Sequence, residues 1–247
     1  MKQPLSLNAA IQRAASLIKD SSHIVAFTGA GISTDSGIPD LSGIDQILSQ
    51  DDNFDGNVFT LLNSKFAVRN PKEFYRLYRK TFFQPSARPN IAHHFLKHLE
   101  EIGKLGGIAT MNIDWLHQMS GSKTVYEYWG DMRMNHCIGC HHSYDWNVVR
   151  DQPVPYCPIC GQLILPDFVL RGLGTYANEI LGGRKLIDNA DLLIIIGTKR
   201  QPDSFPERTP KIVVNAEAST GQEQNTLWLG GTAKNAFLKL AHVYASL

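Results

Sequence analysis

Four cysteines in this 247-residue chain form two pairs, Cys137-Ile-Gly-Cys140 and Cys157-Pro-Ile-Cys160, with sixteen residues between them. Two such hairpins present four soft thiolates that close a tetrahedron and leave no ligand position for water. The spacing therefore predicts one structural Zn2+ held by Cys137, Cys140, Cys157 and Cys160. A redox dithiol is the competing reading, and the pairing of two motifs argues against it. A closed site of this kind replaces a core that the short segment around it cannot build. His136, His141 and His142 flank the pairs, but four thiolates already fill the site, so these imidazoles stay outside the ligand set. A second signal lies near the start of the chain. The apolar run His23–Phe27 reads as a buried parallel strand and feeds Thr28-Gly29-Ala30-Gly31-Ile32-Ser33, a glycine turn expected to open a helix. Backbone amides at such a turn can approach a phosphate, although G-x-G alone is a weak nucleotide signal. Asn112 and Asp114, taken alone, read as a polar turn that ends a strand.

The elements that must position these groups follow from periodicity. Ile11, Ala14, Ala15 and Ile18 recur at helical spacing in the first segment, and Ala92, Phe95, Leu96 and Leu99 do so within Asn90–Ile102. Further helices are expected at Pro71–Lys80 and Thr232–Tyr244. Strands are expected at Ile108–Asn112, Thr124–Tyr128, Asp191–Ile196, Lys211–Val214 and Asn225–Leu229. Strands alternating with helices predict an α/β fold with a parallel sheet covered on both faces. The stretch from Leu41 to Ala87 is mixed and polar. No internal repeat or low-complexity linker separates the parts, so the smaller ones read as insertions.

Composition excludes several classes of partner. A formal net charge of +1 gives no electrostatic case for nucleic acid or an anionic membrane. The longest aliphatic run, Leu192–Ile196, is far too short to span a bilayer, and the opening residues lack the apolar run of a signal peptide. Cysteines confined to metal-type pairs suit a reducing compartment. A soluble, cytoplasmic protein is expected.

Several motifs then fall into one order. Gly29-Ala30-Gly31-Ile32-Ser33-Thr34-Asp35-Ser36-Gly37-Ile38-Pro39-Asp40 resembles the first signature of the sirtuin family. Pro89-Asn90-Ile91-Ala92-His93 looks like the start of a family helix, and Thr110-Met111-Asn112-Ile113-Asp114-Trp115-Leu116-His117 resembles the second signature. The paired cysteines follow, then Gly197-Thr198 and Asn215-Ala216-Glu217. The resemblance covers roughly Ile11 to Leu240. It implies a Rossmann-like domain of residues 1–40, 88–128 and 174–247, a helical insertion at 41–87 and a zinc module at 129–173, with NAD as co-substrate in the cleft between large and small parts. It also implies roles for single residues. Gly29, Ala30 and Gly31 would admit the pyrophosphate. Ile38 and Asp40, flanked by Met111 and Ile113, would face the nicotinamide. Asn112 and Asp114 would hold its ribose and carboxamide side and carry the chemistry. Gly197, Thr198, Asn215, Ala216 and Glu217 would lie along the adenosine half.

Departures from the family pattern cluster in the chemistry. The family's Glu-Leu-His-Gly run, whose histidine takes a ribose hydroxyl proton during acyl-lysine hydrolysis, is matched by Glu127-Tyr128-Trp129-Gly130. An indole N–H only donates, and losing a general base typically costs about 10²–10⁴-fold. Leu41-Ser42 stands where Phe-Arg is usual, Met111 where a glutamine is usual, Lys199-Arg200 where Ser-Leu is usual, and Leu170-Arg171-Gly172-Leu173 where a run ending Phe-Gly-Glu is usual. On these grounds the favoured expectation is nicotinamide release coupled to ADP-ribosyl transfer to a protein, or to NAD hydrolysis. The first alternative is an NAD-dependent lysine deacylase with its base elsewhere. His117 and Glu127 are the candidates, although His117 reads better as structural and Glu127 as pointing elsewhere. The second is an inactive NAD or ADP-ribose sensor, with Trp129 closing the channel and Lys199 and Arg200 capturing phosphate.

Overall fold

A computed structural model describes residues 3–168 and 176–246. Strand β1 (Gln3–Pro4) precedes helix α1 (Leu7–Asp20), which Ser6 caps by accepting from the Ala9 amide. The α1 face carrying Ile11, Ala14, Ala15 and Ile18 is buried, as its spacing predicts. Strand β2 (Ile24–Thr28) follows. Beyond it the expected helix is replaced by two short 3-10 turns, Ala30–Ile32 and Thr34–Ser36. The first turn is pinned to a neighbouring loop, because the Gly31 amide donates to Gly197 O at 2.9 Å. The left-handed Gly37 (φ 87°) ends the second before a longer helix can form.

The mixed stretch resolves into helices α2 (Leu41–Ser49), α3 (Val58–Leu61), α4 (Ser64–Arg69) and α5 (Pro71–Thr81). Next come α6 (Ile91–Glu101), β3 (Leu105–Thr110), α7 (Leu116–Ser120) and β4 (Val125–Glu127). The cysteine region holds β5 (Gly130–Cys137), β6 (Ser143–Asp145), α8 (Asn147–Asp151) and β7 (Ile164–Phe168). The chain continues with α9 (Ala177–Asp188), β8 (Leu192–Ile196), β9 (Lys211–Asn215), β10 (Gly221–Glu223), β11 (Thr226–Gly230) and α10 (Ala233–Tyr244).

Eight strands form one sheet in the order β1-β10-β11-β9-β8-β2-β3-β4, and every pair from β11 to β4 is parallel. Alternation along β2 and β8 explains its two covered faces. Ile24, Ala26, Leu192, Ile194 and Ile196 pack against α1, α6 and α10, whereas Val25, Phe27, Leu193 and Ile195 meet Tyr128, Phe205 and Ile187 of α9. This is the α/β, Rossmann-like arrangement with helices on both faces. The chain leaves β2 towards β3 and β4 and later returns to β8 on the other side. The carboxyl end of β2 is therefore a topological switch point, where such sheets open a crevice.

β6-β5-β7 form a separate antiparallel sheet. The helical stretch and this sheet share one apolar cluster, in which Phe74, Leu77 and Tyr78 of α5 meet Val149, Leu165 and Phe168. Tyr78 stacks on Phe168 with ring centroids 5.7 Å apart. No helix among the described residues is long and apolar enough to cross a membrane.

Candidate active site

At the switch point lies a cavity of about 450 Å3. Its wall contains Gly29, Ala30, Gly31, Ile38, Asp40, Met111, Asn112, Ile113, Asp114, Gly197, Thr198, Asn215, Ala216 and Glu217, so the structure brings together every residue that the sequence assigned to a cofactor. The glycine turn is tight for a steric reason: a Cβ on Gly31 would lie 2.7 Å from Gly197 Cα. Asp40 lines the cavity and also caps α2, accepting from the Gly43 amide at 2.8 Å. Asn215 donates through Nδ2 to Thr198 O at 3.0 Å, which ties the ends of β8 and β9 together.

The centre of the wall is a buried polar network. Ser33 Oγ donates to Asp114 Oδ2 at 2.7 Å, Asn112 Nδ2 donates to Ser33 Oγ at 3.2 Å, and the Leu116 amide donates to Asp114 Oδ1 at 3.0 Å. The Asn112 amide donates to Thr110 Oγ1 at 3.0 Å. Burial raises the Asp114 pKa, and bonds from Leu116, Ser33 and Asn112 oppose the shift. Nothing in the sequence pattern assigns Ser33 a role, although it lies inside the first signature. Its hydroxyl position, one residue beyond the glycine turn, was the available signal.

Neither histidine beside this network lines the cavity. His117 is fully buried, shares a 2.9 Å hydrogen bond with Thr28 Oγ1, and is absent from the cavity wall. His93 lies behind it, with ring centroids 4.9 Å apart. Glu127 also lies outside the cavity wall and is paired with Gln118. Trp129 does line the cavity. It stands between Tyr128, whose amide donates to Thr110 O at 3.0 Å, and Gly130, where a Cβ would lie 2.0 Å from Asp167 O. The backbone at Trp129 is thus held on both sides. Of the basic pair, Lys199 reaches Ser42 Oγ at 3.4 Å. Arg200 sits over the rings of Phe27 and Phe205, at 5.2 and 5.0 Å from their centroids. Leu170–Leu173 lie outside the described residues.

The buried titrating groups give a pH dependence of definite sign. Burial, with His117 as neighbour, holds His93 near a pKa of about 2, and burial holds His117 at about 3, against 6.5 for a free ring. Stability from these neutral rings is complete above pH 6.5 and is lost as pH falls. Burial, then repulsion from Asp131, lifts Glu127 to about 8, and burial lifts Asp131 to about 6. These carboxyls stabilise when protonated, and that contribution is lost as pH rises through those values. Each group changes stability by about 1.4 kcal/mol per pH unit within its window. Between pH 6.5 and 8 the Glu127 contribution falls as pH rises. Glu127→Gln removes that contribution, so its melting temperature relative to wild type should rise from pH 6.5 to 8, as scanning calorimetry on both proteins across that range will test. A difference that does not change with pH would contradict the assignment.

The four cysteine Sγ atoms all lie within 4.8 Å of one another, with Cys137–Cys160 at 3.3 Å and Cys140–Cys157 at 3.6 Å. A tetrahedral Zn2+ with bonds of about 2.3 Å requires sulfurs roughly 3.8 Å apart, so the set fits the metal. Amides of Gly139 and Cys140 donate to Cys137 Sγ at 3.3 and 3.4 Å. His136 instead pairs through Nδ1 with Asp167, and His142 packs edge-on to Tyr144. None of the four cysteines lines the cavity, as a structural metal requires.

An open α/β sheet with a glycine-lined crevice at its switch point, next to a four-thiolate module, defines a nucleotide-type binding protein with a structural metal centre. The family model of the Sir2 family matches residues 29–202, and the chain belongs to that family. It is 41% identical over 189 residues to an NAD-dependent protein deacetylase of Clostridium perfringens, covering 76% of this chain and 78% of the relative. It is 39% identical over 226 residues to a protein of the same name from Bacillus cereus, covering 85% and 87%. Solved structures of Sir2 with a p53 peptide and NAD+, and of Sir2 bound to an acetylated peptide, superpose with TM-scores of 0.79 and 0.76. Each is 29% identical to this chain. The first covers 96% of this chain and 99% of the solved one, the second 94% and 98%.

Proposed function

We propose that the chain is an NAD-dependent protein deacylase acting on acyl-lysine. The observation that carries this reading is the Ser33–Asn112–Asp114 network in the wall of a glycine-cradled cavity, in a chain whose relatives are named NAD-dependent protein deacetylases. Those names support deacylation better than the ADP-ribosyl transfer expected from the departures at the site. When bound, NAD supplies the glycosidic bond whose cleavage releases nicotinamide. The chain's own residues prepare that bond. Gly29 and Gly31 let the turn pack against Gly197 and Thr198, the turn lines the part of the cavity that takes the pyrophosphate, and Asn215 and Glu217 line the adenosine half. Asn112 orients the nicotinamide ribose, and Asp114, held by Ser33 and the Leu116 amide, receives the carboxamide side. Ile38, Met111 and Ile113 exclude water around them. Four cysteines hold a structural Zn2+ and keep the three-stranded sheet beside the crevice.

One observation favours a second reading, ADP-ribosyl transfer to a protein or NAD hydrolysis: Trp129 lines the cavity where the family pattern has its base, and an indole cannot accept a proton. Nicotinamide release by the purified protein, with and without acyl-lysine peptides, separates the two. Release that depends on the peptide, with the deacylated peptide as product, is the expected result. Release at the same rate without peptide would replace deacylation by the second reading.

A further inference from the structure

The loop that carries Asn112 and Asp114 is held from outside the cavity by a stack of three side chains. The guanidinium carbon of Arg133, on β5, lies 3.7 Å from the ring centroid of Trp115 and 4.5 Å from that of Trp146. Trp115 directly follows Asp114 and precedes α7. Trp146 stands at the start of α8 and meets Phe83, after α5, edge-on at 5.8 Å. The stack thus joins the helical stretch, the cysteine-bearing module and the polar loop. Arg133 Nε is buried without a hydrogen-bond partner among the described residues, and the guanidinium lies against the two rings.

Trp115 needs this support. Its backbone is left-handed, with φ 62° and ψ 13°, a conformation that a bulky side chain adopts only when its surroundings impose it. That conformation has a chemical consequence: it turns the Leu116 amide onto Asp114 Oδ1 at 3.0 Å, while Asp114 Oδ2 accepts from Ser33. The preceding residue is fixed from the same strand, because the Met132 amide donates to Ile113 O at 3.0 Å. We infer that Arg133 is a positioning residue: stacked between Trp115 and Trp146, it holds the Trp115 backbone left-handed and thereby aims Asp114 and Asn112 into the cavity. A guanidinium suits this task because its flat face can cover two rings at once, which a lysine ammonium cannot do.

The catalytic half of this inference rests on the NAD reaction proposed above, whereas the conformational half does not. The test compares wild type, Arg133→Ala, Arg133→Lys and Trp115→Ala in the full chain. It follows hydrogen exchange of the Leu116 amide and, on the same samples, kcat and KM for NAD in nicotinamide release. Arg133→Ala should speed Leu116 exchange by about tenfold or more while amides of β2 and β8 stay protected. It should lower kcat by about tenfold or more and leave the KM for NAD within about threefold, as misplacement of a reacting group does. Arg133→Lys should recover part of both losses. If Arg133→Ala does not fold, Trp115→Ala carries the same test, because alanine loses the ring that Arg133 holds and keeps the cost of a left-handed backbone. Unchanged Leu116 exchange in folded Arg133→Ala or Trp115→Ala would overturn the inference. Faster exchange with unchanged kcat would also overturn it, since the stack would then be structural only. Absence of nicotinamide release from wild type would count against the proposed function, and Leu116 exchange would still decide whether the stack holds the loop.

Discussion

Asn112→Ala should leave the fold and the metal module intact and lower nicotinamide release by about 10²-fold or more. The expectation follows from how the side chain is held. Asn112 is buried, its amide nitrogen donates to Ser33 Oγ, and its backbone N–H is tied to Thr110 Oγ1 at the end of β3. A side chain fixed at both levels presents its carboxamide in one orientation, so its removal loses a positioned contact instead of a mobile one. The cost to folding should be modest, because Ser33 keeps its stronger bond, 2.7 Å to Asp114. Loss of that one weaker hydrogen bond is worth about 1 kcal/mol. Parallel measurement of melting temperature and nicotinamide release separates the effects. Unchanged turnover would remove Asn112 from the chemistry, and with it the role carried over from the family pattern. Ser33→Ala should act in the same direction and less strongly, since it frees Asp114 Oδ2 but leaves the Leu116 amide in place.

How much of this was legible in the sequence depends on how local the cause was. Buried strands announce themselves as apolar runs: Leu192–Ile196 and Lys211–Asn215 fall within a residue of their expected limits. β3 was expected to start at Ile108 and starts at Leu105, because Gly106 and Gly107 lower strand propensity while sitting where a Cβ would strike His23, Leu186 and Thr124. Helix α9 went unseen for a similar reason. Gly182 and Gly183 weaken its pattern, yet a Cβ at either would lie within 2.5 Å of the rings of Tyr126 and Tyr128, respectively. The glycines fit tertiary contacts with a strand more than fifty residues away. The same limit hid α2, α3 and α4 of the mixed stretch, whose buried apolar residues join one cluster with Leu165 and Phe168 of the cysteine-bearing sheet, whereas α5 was expected at Pro71–Lys80 and spans Pro71–Thr81. The cavity residues were legible because they lie in two contiguous motifs that fold onto one strand end. The Arg133 stack was not, because its three members come from separate elements and share no spacing.

Trp129→His should raise peptide-dependent deacylation by about 10²-fold or more, the usual worth of a positioned general base. Position 129 is prepared for such a group. Its backbone is fixed by the Tyr128 amide bond to Thr110 and by Gly130 at a left-handed φ of 83°, and its side chain lines the same cavity as Asn112. An imidazole placed there would be within the cavity and able to accept a proton near neutral pH, which the indole cannot do. The substitution also removes part of an aromatic surface packed against the apolar cluster of β2, β8 and α9, so some stability should be lost, at the modest cost expected for a half-buried site. The comparison that matters is product per nicotinamide released. A rise in deacylated peptide, with release rising in step, would mean that the acyl-peptide side of the crevice is competent and that only the base was missing. Release without deacylation in both proteins would mean that peptide recognition has changed as well, and the second reading would then take precedence. Equal and efficient deacylation by both proteins would mean that another group does the proton transfer. Neither His117, bonded to Thr28, nor Glu127, paired with Gln118, stands in the cavity wall to do so.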